Sequence, residues 1–77
     1  MISETIDLHG MRREEAFLYV EDELLRRSNL GSFAITIITG NSKAMRDGVI
    51  KVCDKHGFDY VVPSYNMGQL SVTYLSI

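Results

Sequence analysis

Asp7 and His9 stand two apart in the run IDLHG, residues 6–10, and they are the first side chains in the chain able to do chemistry together. In an extended strand, residues i and i+2 share a face. The carboxylate and the imidazole are therefore expected side by side, with Ile6 and Leu8 pointing the other way. An imidazole exchanges protons near neutral pH and can act as general base or acid. A neighbouring carboxylate can orient it or favour its charged form. Gly10 ends the run, and a helical pattern starts at once. An acid and an imidazole at the carboxyl end of a strand, ahead of a helix, occupy a recurrent site position in α/β proteins.

A second loop has the right composition to work beside the first. It reads TGNS, Thr39 to Ser42, again between an apolar run and a helical pattern. Gly40 allows close approach of backbone to a ligand. The helix that follows offers unpaired N–H groups and a positive dipole end to an anion. Ser42 or Asn41 can cap that helix, and Lys43 adds a charge at its start. Arg46, one turn in, borders the inner face on a helical wheel. It can reach toward the Asp7/His9 edge; the plainer alternatives are a snorkelling side chain or an ion pair with Asp7. Arg12 and Arg13 follow the first loop directly. They read either as phosphate contacts or as a solvated first turn.

These residues need elements to hold them. Residues 4–9 read as a strand and 12–29 as a helix, with Ala16, Phe17, Val20 and Leu24 on one face. Glu14 and Glu15 suit its first turn and Arg26 and Arg27 its last; Asn29 and Gly31 stop it. Leu18 and Leu25, seven apart, lie off that face, either widening the core stripe or marking a second contact surface. Residues 33–39, FAITIIT, are β-branched and almost wholly apolar, as in a buried central strand. A helix over 43–56 turns Met45, Val49, Val52 and Cys53 inward, and Gly57 ends it. Residues 58–63 and 70–76 read as two strands of a hairpin joined by PSYNMGQ.

The order is thus β-α-β-α-β-β. Two βα units imply parallel pairing, and the hairpin adds an antiparallel strand. The expected fold is an α/β two-layer sandwich: a mixed four-stranded sheet with two helices on one face, forming one domain over residues 1–77. The carboxyl ends of the first two strands, and so the two loops, meet at one edge.

The chain has 77 residues, 45% hydrophobic and 23% charged, which is ordinary globular composition. Its one cysteine forms no internal disulfide, which favours a reducing, cytoplasmic setting. No basic-then-apolar leader and no membrane-spanning run is seen. A net charge of −2 leaves no global basic field, so any nucleic-acid binding must rest on a local patch. Arg12, Arg13, Lys43 and Arg46 would supply one. His56 reads as a helix-end or core residue, far from the loops, and Cys53 as core. Lys51 and Lys55 point to solvent. Tyr60, Tyr65 and Tyr74 are either strand packing or stacking platforms for bases.

IDLHGMRREEA, then IITGNSKAMRDGVIKVCDKHG, then GQLSVTYL resembles the small MutS-related (Smr) domain over residues 5–77. That family's signatures are an L-D-x-H-G start and a T-G-x-G or H-G-x-G loop before the second helix. The acidic and histidine positions fall on Asp7 and His9, with Ile6 in place of leucine. The loop falls on Thr39 and Gly40, the basic residue on Arg46, and the closing glycine-then-strand pattern on Gly68 and Val72. The second loop glycine is Ser42 here. The resemblance implies a fold like the carboxyl-terminal domain of translation initiation factor three. It also implies nucleic-acid binding and, in some members, cleavage of DNA or of RNA in ribosome quality control and RNA processing.

A phosphodiesterase chemistry is therefore expected. His9 would be base or acid, Asp7 its orienting group, and Arg46 with the helix amides the holder of phosphate charge. Gly10, Arg12, Arg13, Thr39, Gly40, Asn41, Ser42 and Lys43 would contact the nucleic acid. For RNA, the 2′-OH could be the nucleophile without any cofactor. A divalent ion on Asp7 and His9 is the alternative, though two ligands are few for a dedicated site. RNA is preferred to DNA as partner, with the ribosome as a further candidate and no membrane. The chain would be a monomer or weak homodimer. The competing functions are a silent binding module and a protein-interaction domain.

Overall fold

The computed structural model describes residues 2–76. Its elements are β1 (Ile2–Asp7), α1 (Arg13–Leu30), β2 (Phe33–Ile38), α2 (Lys43–His56), β3 (Asp59–Val61) and β4 (Gln69–Tyr74). They form one four-stranded sheet in the order β1-β2-β4-β3. β1 runs parallel to β2, while β4 is antiparallel to both β2 and β3. This is the expected mixed sheet in a two-layer α/β fold.

β2 is central, but it is buried on one face only. Phe33, Ile35 and Ile37 are covered, while Ala34, Thr36 and Ile38 are half-exposed. Both helices share one core with that face, so the other face stays open. Alternation carries the same division across the neighbouring strands: Ile6 of β1 and Leu70 and Val72 of β4 are buried with the β2 triplet.

The buried faces of the helices follow from 3.6-residue periodicity. α1 buries Ala16, Val20, Leu24 and Arg27; α2 buries Met45, Val49 and Cys53. Leu18 is 69% exposed and Leu25 38%, so of the two alternatives they do not widen the core stripe. Arg27 sits in the last turn of α1, as expected. Its guanidinium is buried beside β1, where it pairs with Glu4 and, at 2.8 Å, with Glu23. Phe17 is half-buried and lies on Gly48 of α2, where any Cβ would overlap its ring.

α2 ends as expected at Gly57, with φ +72° and the Phe58 N–H donating to the Cys53 carbonyl at 2.9 Å. Phe58 then joins Phe33 and Tyr74 in an aromatic cluster with ring centroids 5.5–5.6 Å apart. The cluster anchors the end of the sheet opposite the two loops. Burial pushes the Cys53 thiol up to about 11, as befits a core residue. Among the described residues, no helix is long and apolar enough to cross a membrane.

Candidate functional site

Asp7, Ile38 and Gln69 lie level across β1, β2 and β4. The carboxyl ends of the two parallel strands therefore share an edge with the start of β4. β1 ends at Asp7 rather than at residue 9, although the Leu8 N–H still donates to the Ile38 carbonyl at 2.8 Å. The chain then turns: the Met11 N–H donates to the Leu8 carbonyl at 3.0 Å, with His9 and Gly10 in the middle. Gly10 has φ +87°, the left-handed value a type II turn requires of its third residue.

This turn corrects the expected Asp7–imidazole pairing. The Asp7 carboxylate instead accepts the backbone N–H of His9 at 2.9 Å. Asp7 thus holds the main chain that carries His9, and both side chains are exposed at the edge.

The His9 ring faces the second loop. Gly40 has φ +69°, and a Cβ there would come within 3.2 Å of His9 Cδ2. Thr39 is only 3% exposed. Its hydroxyl lies 3.2 Å from the carbonyl of Gly68, which also accepts the N–H groups of Thr39 and Gly40 at 2.8 and 3.0 Å. Thr39 therefore fastens this loop to the start of β4; it is not an exposed phosphate contact. Asn41 and Lys43 are exposed.

Ser42, not Asn41, caps α2, its Oγ accepting the Met45 N–H at 3.1 Å. The amides of Lys43 and Ala44 just ahead have no intrahelical acceptor. Arg46 does not pair with Asp7: one guanidinium nitrogen donates to the Met67 carbonyl at 2.9 Å. Its other N–H groups make no hydrogen bond among the described residues.

The Smr domain family model matches residues 6–75. The chain belongs to the Smr domain family. No curated protein and no solved structure matches it significantly. In this Smr domain, Ser42 replaces the second loop glycine without backbone strain, since its φ of −86° is open to any residue.

Charge is sorted across the molecule. Of the eight Lys and Arg residues, Arg26, Arg27 and Lys55 are paired with Glu23, Glu4 and Glu21. Arg12, Arg13, Lys43, Arg46 and Lys51 have no ion-pair partner among the described residues. Four of these cations lie at the starts of the two helices, around His9 and Gly40. A cavity of about 400 Å³ beside them is lined by Met11, Arg12, Arg13 and Glu14. Asp7, Glu14, Glu15 and Asp47, likewise without an ion pair among the described residues, share this edge, so the four cations are individually unpaired without making it net basic.

His56 lies at the far end of α2, as expected, with Nε2 2.7 Å from Glu21 of α1. Glu21 also accepts from Lys55 at 3.0 Å, and the Lys55 side chain stays largely exposed, as expected. Among the described residues, no three His, Cys, Asp or Glu side chains come together as metal donors.

The segment PSYNMGQ, expected only to connect a hairpin, also forms part of this edge. The carbonyls of Met67 and Gly68 hold Arg46 and the Thr39–Gly40 loop. The Asn-x-Gly spacing of Asn66 and Gly68 was the available signal: Asn66 Oδ1 accepts the Gly68 N–H at 3.0 Å.

Proposed function

We propose that this Smr domain binds nucleic acid at the His9–Gly40–Arg46 edge and cleaves RNA there. The observation that carries the reading is the convergence of an exposed imidazole, a close-approach glycine, a partly free guanidinium and a helix start, ringed by unpaired cations. His9 takes the proton of a 2′-OH as that oxygen attacks phosphorus. The free N–H groups of Arg46 and the amides of Lys43 and Ala44 stabilise the charge on the non-bridging oxygens. The 5′-oxygen leaves and takes up a proton from solvent water. The products are a 2′,3′-cyclic phosphate and a 5′-hydroxyl end. Asp7 acts through the main chain, fixing the turn that presents His9. RNA is favoured over DNA because it carries its own nucleophile. Gly10 shapes the turn, Arg12 and Arg13 hold flanking phosphates, and Asn41 lies beside the bound phosphate.

The test is cleavage of end-labelled single-stranded and hairpin RNA and matching DNA, with and without chelator, by wild type and by Asp7→Ala, His9→Ala and Arg46→Ala. RNA cleavage lost in the His9 and Arg46 variants and indifferent to chelator supports the reading. Ends bearing 5′-phosphate, with cleavage stopped by chelator, support instead a divalent ion on Asp7 and His9.

A second reading is a binding module that does not cut. It is favoured by the Asp7 carboxylate serving the His9 amide, which leaves the imidazole without an orienting acid. Salt-dependent RNA binding without cleavage would support it. The ribosome is the partner we favour for delivering substrate in the cytoplasm, and exposed Leu18 and Leu25 offer a weak homodimer contact that sedimentation would detect.

A further inference from the structure

We infer that Tyr65 is the stacking platform for an unpaired nucleobase adjoining the phosphate held at the His9–Arg46 edge; this rests on the nucleic-acid reading above. The three tyrosines of the carboxyl-terminal third separate clearly. Tyr74 packs on Phe33 and Phe58, with centroids 5.6 Å from each. Tyr60 is packed against the core. Tyr65 is 86% exposed, contrary to the packing expected of it.

An exposed aromatic ring alone says little. What matters is where this one is fastened. Tyr65 lies in a tight turn closed by the Asn66 N–H on the Pro63 carbonyl at 3.3 Å. Two residues later, Met67 receives Arg46; one further on, Gly68 receives Thr39 and Gly40. Two residues of chain span at most roughly 7 Å. The Tyr65 backbone is thus tethered within a side chain's reach of the carbonyl that holds the guanidinium assigned to the phosphate. A Cβ on Gly68 would come within 3.3 Å of the Gly40 carbonyl oxygen, so the two loops are in direct contact.

The chemistry selects the ligand. A phenol ring stacks on any base because every base has a π-face, and the cations beside it track the backbone. A base held in a duplex has both faces covered by its neighbours. The ligand is therefore a single-stranded or looped-out nucleotide, with Tyr65 a positioning residue and not a catalytic one.

The test uses a short RNA carrying one 2-aminopurine, whose fluorescence falls on stacking, as a single strand and as a blunt duplex. Wild type, Tyr65→Phe and Tyr65→Leu are titrated at low and high salt. Quenching of the single strand by wild type and Tyr65→Phe is expected. Tyr65→Leu should lose the quenching and bind single strand roughly 5- to 100-fold more weakly, with duplex binding and thermal midpoint unchanged. Equal affinity and quenching in Tyr65→Leu would overturn the proposal while leaving the nucleic-acid reading intact. So would an equal loss on duplex. No salt-dependent binding by wild type would overturn the underlying reading, and this one with it.

Discussion

The ring of His9 rests against Gly40, close enough that a Cβ on residue 40 would stand 3.2 Å from His9 Cδ2. The two glycine-bearing loops are thereby in contact, and the first loop's imidazole is positioned by the second loop's backbone. Gly40→Ala is expected to lose about 1–2 kcal/mol for its left-handed φ. It should also displace the imidazole, and a misplacement near 1 Å can lower a rate by roughly 100-fold. Urea midpoints and single-turnover RNA cleavage measure the two effects separately. Cleavage at the wild-type rate would show that the contact does not position His9.

Asp7 bonds a main-chain amide, which an asparagine oxygen can also accept. Asp7→Asn should therefore retain most of the cleavage rate, whereas Asp7→Ala should reduce it about tenfold or more by loosening the His9 turn. His9→Ala should lose about 100-fold or more, the usual contribution of a general base. If Asn and Ala at residue 7 were equally damaging, the carboxylate charge itself would be needed, as for a metal ligand.

Phe17 covers Gly48 where the two helices pack. Gly48→Ala gains about 1 kcal/mol of helix propensity, but its Cβ overlaps the ring, and overpacking costs about 1–3 kcal/mol. The single variant should thus be less stable than wild type. Adding Phe17→Leu removes the overlap, so the two changes should be coupled by about 1 kcal/mol in a double-mutant cycle. Chemical denaturation of the four proteins would show it; additive changes would mean the ring moves aside freely.

Glu21 carries the pH prediction. Hydrogen bonds from His56 and Lys55 hold its carboxyl below the usual 4.5. Its stabilising contribution is complete above the unfolded value. As pH falls below 4.5, the unfolded chain takes up the proton first and the contribution is lost through the lower folded value. Glu21→Gln should flatten the decline in thermal midpoint between about pH 5 and pH 3. An unchanged slope would show that the α1–α2 bridge adds nothing to acid stability.

Much of the molecule was legible in its order of residue types. The periodicity of α2 placed Met45, Val49 and Cys53 inward, and Gly57 marked its end. The apolar run of β2 announced a central strand, and the two loop glycines marked the edge. Patterns of this kind act over a few residues and repeat with the backbone's own period, so a linear reading captures them. The same reading is silent on the burial of Arg27, because a last-turn arginine becomes a buried one only when Glu4, 23 positions away, is brought beside it. It left Leu18 and Leu25 between two alternatives, which the structure decides because a helix against a single sheet buries only a narrow stripe.

By itself the sequence determined the element order, the family and the residue types at the edge: an acid, an imidazole, glycines and arginines. Each follows from local spacing or from a motif written in consecutive letters. Only the tertiary structure decided what those groups touch. It assigned the Asp7 carboxylate to an amide, laid His9 on Gly40, tied Arg46 to Met67 and left Tyr65 exposed beside them. Apart from the Asp7–His9 bond, these contacts join segments about 20 to 30 positions apart, and their partners are backbone atoms that every residue possesses. No letter of the sequence marks such a partner; only the closing of the sheet, which brings the strand ends level, selects it.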